Sequence, residues 1–138
     1  MIIDSSEVNA ETPENFTVQL EEDISEKYSM ICLKHVFIRH GSNMRELFQS
    51  HARIKPIFVH CNLLCKEDNI VNGKKSDVIG VIYHNDMKPR NIGNYQLPNN
   101  SFKFLKYDSK ISLSLTTSDG ESVAGRGRFA VVYELEFS

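Results

Sequence analysis

Apolar and polar residues alternate along two long runs in the last third of the chain. Lys110-Ile111-Ser112-Leu113-Ser114-Leu115-Thr116 is one, and Phe129-Ala130-Val131-Val132-Tyr133-Glu134-Leu135-Glu136-Phe137 is the other. Period-two patterning means extended chain with one face buried. A third run, Phe102-Lys103-Phe104-Leu105-Lys106, precedes them, and Asp119-Gly120 lies in the connection between the two long ones. In the last run, Phe129, Val131, Tyr133, Leu135 and Phe137 are expected to form a packed inner face. Glu134 and Glu136 are expected to face solvent or a neighbouring subunit.

The same pattern recurs upstream. Residues 1–15 are mostly polar and read as a short strand or arm followed by a loop. Phe16-Thr17-Val18-Gln19-Leu20 alternates cleanly. Residues 28–38 form a mixed run in which Met30, Cys32 and Val36 share a face only if a bulge corrects the register, while Leu33 and Phe37 fit the opposite phase; it reads as a bulged strand buried on much of both faces. Residues 54–64 predict a second strong strand, with Ile57, Val59, Cys61 and Leu63 on one face. Asn72-Gly73 marks a hairpin turn. Residues 77–83 predict a further strand, with Gly80 a bulge or a close approach. Tyr95-Gln96-Leu97 predicts a short one. The single expected helix spans 42–51, where Ser42 could cap it and Met44, Leu47, Phe48 and His51 fall on one face.

About eight strands and one short helix, with no βα alternation, exclude a parallel doubly wound sheet and suggest a sandwich or barrel. The expectation is an all-β single jelly roll of antiparallel strands occupying residues 1–138 as one domain. Its N-terminal arm is 1–15, and the acidic stretch continues through 27. No Trp is present, so the Cys…Trp…Cys signature of an immunoglobulin sandwich is missing.

Charge changes the picture in one respect. The net charge of −2 argues against a nucleic-acid binder working by overall positive potential. Yet residues 1–27 carry eight acids and one base, while the remainder carries ten acids and fifteen bases. Segments of −7 and +5 suit head-to-tail attraction between subunits; a solvated acidic edge is the plainer reading.

Candidate chemistry is sparse. Cys32, Cys61 and Cys65 are an odd count and read as free thiols. Cys61 and Cys65, four apart on one strand, would lie about 13 Å apart, too far for a disulfide or a shared metal. His35, His40, His51, His60 and His84 contain no H-x-H pair; His35 and His60 could still face each other across a sandwich and hold a metal. There is no G-x-S-x-G elbow and no phosphate-cradling glycine loop. Gly125-Arg126-Gly127-Arg128 is the best candidate for phosphate contact, but no aromatic platform is interleaved. No export signal and no run near 20 apolar residues is present. No catalytic residue, cofactor or metal is therefore expected.

The order of these motifs resembles the minor capsid, or penton, proteins of the Polinton/Maverick elements and related virophage-like viruses. Phe16-Thr17-Val18-Gln19-Leu20 matches the family's opening F-x-V-x-L strand. Residues 28–36 stand where the family has a strand opening with Trp, here Tyr28. Ile57-Phe58-Val59-His60-Cys61-Asn62-Leu63-Leu64 matches its aromatic, valine and cysteine-containing strand. Asn72-Gly73 with Ser76-Asp77-Val78-Ile79-Gly80 resembles the next strand entry. Phe102, Ile111-Ser112-Leu113-Ser114-Leu115, Gly120 and Tyr133-Glu134-Leu135-Glu136-Phe137 match the closing block. The resemblance spans roughly 16–137 and implies a structural capsid protein. It would form a homopentamer at the vertex of an icosahedral particle, beside a double-jelly-roll major capsid protein. It implies assembly rather than enzyme activity, and a location in the virion after synthesis inside the cell; the composition adds the expectation of no membrane span and of little nucleic-acid contact. Assembly contacts are expected at Met44, Leu47 and Phe48, at Arg126 and Arg128, and along the connections 84–95 and 118–128. The alternative reading is a cytosolic β-sandwich that binds a glycan or a peptide.

Overall fold

A computed structural model describes residues 1–8, 12–20, 24–40, 56–83, 92–98, 100–103, 109–121, 123 and 129–138. Eleven strands occur among them: β1 Ile2–Asp4, β2 Asn15–Gln19, β3 Met30–His40, β4 Ile57–Cys61, β5 Ile70–Val71, β6 Lys74–Lys75, β7 Val78–Ile82, β8 Ile92–Gln96, β9 Ser101–Lys103, β10 Lys110–Thr117 and β11 Phe129–Phe137. All pair antiparallel.

One sheet has the order β1-β11-β3-β8, with β9 following β8 along the same edge of β3. The other has the order β2-β10-β4-β7, and β5 and β6 form a separate hairpin. The two alternating runs that dominate the sequence are therefore the inner strands β10 and β11, each flanked on both sides. Their inward residues Ile111, Leu113 and Leu115 and Val131, Tyr133 and Leu135 are almost fully buried. They join Ile31, Leu33, Val36, Ile38, Ile57, Val59 and Cys61 in one core. Each fully buried Leu or Ile contributes ~1.5–3 kcal/mol.

The sheets meet face to face and run in the same order. The Phe16 ring of β2 lies 6.1 Å from the Tyr133 ring of β11. At the other side, Gly80 of β7 lies against Leu33 of β3 and against Leu97, so closely that a Cβ on Gly80 would stand 2.4 Å from Leu97 Cδ2. The molecule thus has one flank formed by the edge strands β1 and β2 and an opposite flank formed by β7 and β8.

Two bulges solve register problems visible in the sequence. In β3, His35 pairs with Glu134 but Leu33 pairs with Leu135, which leaves Lys34 as the extra residue. The inward set is Ile31 and Leu33 before the bulge, then Val36 and Ile38 after it. Cys32 is buried on the opposite face, so the expected burial on both faces holds here, and the bulge puts Val36 in phase with Leu33 rather than with Cys32. The Lys34 carbonyl accepts the backbone N–H of Leu97 at 3.0 Å, so the bulge leaves no polar group stranded. In β7, Val59 pairs with Gly80 and His60 with Val78, so Ile79 is the extra residue. Val78 and Ile79 are both buried as a result.

The expected strand over 54–64 is shorter than predicted. It ends at Cys61, and Asn62 and Leu63 form a turn. Leu63 and Leu64 are both buried there rather than alternating, because a turn releases the chain from period two. The distance argued between Cys61 and Cys65 on one strand thereby loses its premise; both remain free thiols. Asn72 (φ 52°) and Gly73 (φ 78°) make the two-residue turn joining β5 to β6, as their sequence predicts. The helix expected over 42–51 lies outside the described residues. A one-turn helix, α1 Ile24–Lys27, was not anticipated.

Candidate functional site

The most chemically organised cluster sits on the outer face of the β2-β10-β4-β7 sheet. Along β4, Ile57, Val59 and Cys61 point inward, which turns Phe58 and His60 outward. His60 Nδ1 lies 2.7 Å from the Asp77 carboxylate, and Nε2 lies 2.7 Å from Thr116 Oγ1. Asp77 immediately precedes β7, and Thr116 belongs to β10. The His60 hydrogen bond holds the Asp77 carboxyl below the usual carboxylate range, against the opposing effect of partial burial; the charges of His60 and Lys66 add to the lowering. An ionised Asp77 accepts the Nδ1–H proton, so Nε2 faces the threonine hydroxyl.

A Thr-His-Asp series invites comparison with a nucleophilic relay. Such a relay also needs a substrate cleft and oxyanion donors. Thr116 stands within a central strand, opposite Phe58 in the ladder, and the cleft between β7 and β8 is lined by none of the three residues. The arrangement instead ties three strands together, at the point where the β7 bulge loosens the ladder between β4 and β7. Sequence reading missed it. His60 and Asp77 are seventeen residues apart, and only the register brings them together.

His35 does not meet His60. It belongs to the other sheet, where Val36 and Ile38 point inward, and it pairs with Asn94 and lies 3.9 Å from Glu134. The metal site considered from the sequence is therefore corrected: the two histidines lie on outer faces of different sheets and share no partner. Among the described residues no group of three His, Cys, Asp or Glu side chains is arranged to hold a metal ion.

Among the described residues a cleft opens at the flank between β7 and β8. It has a volume of about 530 Å³ and is lined chiefly by Val71, Ile79, Ile82, Tyr95, Leu97 and Phe102. Its size falls in the range of ordinary ligand pockets. Tyr83, beside it, is 69% exposed. Gly80, singled out in the sequence as a close approach, forms its floor with Leu97.

Two core groups have unusual surroundings. Burial pushes the Cys61 thiol up to about 12. The Tyr133 hydroxyl is fully buried with no hydrogen-bond partner among the described residues, and burial moves its ionisation upward too. Neither opens onto the cleft, and both are core residues by position.

Of the assembly contacts expected from the sequence, Met44, Leu47, Phe48, Arg126 and Arg128 all lie outside the described residues. So do 84–91 of the connection 84–95, whose remainder is β8, and most of the end of the connection 118–128. No family model, curated protein or solved structure matches the chain.

Proposed function

We propose that the protein is a structural capsid protein, a single jelly roll that assembles as the pentameric vertex of an icosahedral virus or virus-derived particle. The observation that carries this reading is the pair of strand orders, β1-β11-β3-β8 and β2-β10-β4-β7. With β8 and β9 counted as one position, the chain enters the sheets alternately, except that β4 and β7 are neighbours in one sheet. This alternation supports a double Greek key reading, the strand plan of jelly rolls in viral capsids. The ordered strand motifs that resemble penton proteins point the same way.

The function is then assembly rather than catalysis. A fivefold ring joins one face of each subunit to a different face of the next. The major capsid protein around the vertex, of double-jelly-roll type, is the second partner of this reading, and the virion is the location. The test is sedimentation of the purified protein together with electron microscopy of particles formed when it is co-expressed with a double-jelly-roll major capsid protein. A pentamer that occupies vertices is expected. A strict monomer that never enters particles would overturn the reading.

The cleft between β7 and β8 favours a second reading, a β-sandwich that binds a peptide or glycan. Binding on a peptide or glycan array that is lost on Tyr95→Ala, in a protein that stays monomeric, would favour it over the first.

A further inference from the structure

We infer that Asn72, at the tip of the β5–β6 hairpin, is a site of spontaneous deamidation, and that opening of this hairpin alone, with both sheets intact, sets its rate.

The chemistry starts in the sequence. Asn72 is the only asparagine of the chain followed by glycine. The nucleophile in this reaction is the backbone nitrogen of the next residue, and glycine puts no Cβ in the way of its approach. The Gly73 nitrogen gives its proton to hydroxide and attacks the side-chain carbonyl carbon of Asn72. An N–C bond forms there, the bond to the side-chain amide nitrogen breaks, and that nitrogen takes up a proton from water and leaves as ammonia. The product is a five-membered succinimide. Water then opens the ring at either carbonyl. One opening gives an aspartate at position 72, the other an isoaspartate whose backbone runs through the former side chain.

The structure adds access and a gate. Asn72 and Gly73 are both exposed. No hydrogen bond among the described residues engages the Asn72 side chain or the Gly73 N–H, and a Cβ on Gly73 would meet nothing within 4 Å. The gate is the turn itself. Asn72 at φ 52° and Gly73 at φ 78° hold it closed, and the ring forms only after the backbone at Asn72 rotates out of the left-handed region. Two residue pairs resist that rotation, Ile70 with Lys75 and Val71 with Lys74, and neither strand belongs to a large sheet. An ion pair between Lys75 and Glu67 braces them. The base of the hairpin is held more firmly. The Asn69 side-chain amide donates to the carbonyls of Ser76 at 3.1 Å and Val78 at 2.8 Å, and the Ser76 N–H donates to the Asn69 carbonyl at 2.9 Å. The tip can therefore open while its base and the sheets stay closed.

Conversion adds a negative charge two residues from Lys74. An isoaspartate also adds a backbone carbon, which a two-residue turn cannot take without losing the register of β5 against β6.

Peptide mapping by mass spectrometry, with isoaspartyl methyltransferase labelling, tests this on the full chain in mildly alkaline buffer, native and in guanidinium. Position 72 is expected to convert first in both states, about tenfold more slowly in the native protein. Glu67→Gln removes the brace and is expected to speed the native reaction about twofold, leaving the denatured rate unchanged. Ile111→Val weakens the core away from the hairpin; it is expected to lower the melting temperature and leave the native rate unchanged. A native protein unconverted at position 72 when the denatured chain has fully converted overturns the site. Equal rates in the two states overturn the gate. A native rate raised by Ile111→Val shows that global unfolding exposes the turn, and overturns local opening.

Discussion

His60 of β4 places its Nδ1 2.7 Å from the carboxylate of Asp77, at the start of the neighbouring strand β7. The cause of the low Asp77 ionisation is therefore a specific tertiary contact, absent from the unfolded chain. A carboxyl lowered on folding adds stability that is fully present above its unfolded value of about 3.9. That stability is lost as pH falls through the lower folded value. Asp77→Asn is expected to lower stability by about 1 kcal/mol at neutral pH and to flatten its decline below about pH 4. Urea midpoints measured from neutral to acid pH check both parts. Parallel curves for the two proteins would show that Asp77 is not ionised through His60.

Gly80 has no room for a side chain. A Cβ there would meet Leu97 Cδ2 at 2.4 Å and Leu33 Cδ2 at 3.0 Å. Gly80→Ala is expected to destabilise by ~1–3 kcal/mol, moderated because the Leu97 side chain can turn. Leu97→Ala should relieve most of that strain, so the double variant should be less destabilised than the two single effects added together. Strict additivity in thermal melts would mean that the two sites do not touch.

Val131 is wholly buried in the middle of β11. Val131→Asp places an unpaired carboxylate between the sheets and is expected to unfold the domain. An unchanged melting temperature would remove β11 from the core.

The Tyr133 hydroxyl is buried without a partner among the described residues, an arrangement that costs stability by about 1–3 kcal/mol. Tyr133→Phe is accordingly expected to leave stability unchanged or to raise it. A loss above roughly 1 kcal/mol would reveal a buried partner for the phenol.

The three thiols should separate by reactivity. Cys61 is buried with its ionisation pushed up to about 12, and Cys32 is buried as well. Only Cys65, partly exposed, is expected to react with a disulfide reagent near pH 8 in the native protein. All three should react in denaturant. A second fast thiol without denaturant would indicate that the Cys61 strand end opens.

Where alternation was regular, the sequence read correctly: β10 and β11 match their predicted spans, and the Asn72-Gly73 turn and the Gly80 contact follow from local chemistry. The readings failed where the pattern depends on a partner strand. The phase of β3 is set by the bulge opposite Glu134 and Leu135. The early end of β4 is set by the turn that buries Leu63 and Leu64. The His60–Asp77–Thr116 network and the cleft were not legible, because both arise from register between strands distant in sequence.

The central position of β10 and β11 also governs the order in which the molecule can form. Ile3 pairs with Tyr133, and Phe16 with Leu113, so β1 and β2 lack their sheet partners until the last third of the chain is made. Until then β3 and β4 have partners on one side, β8 and β9 for β3 and β7 for β4, and wait for β11 and β10 on the other. Folding by distant closures of this kind is slow and exposes sticky edges meanwhile. During synthesis, the final strands act as the zip that closes both sheets at once.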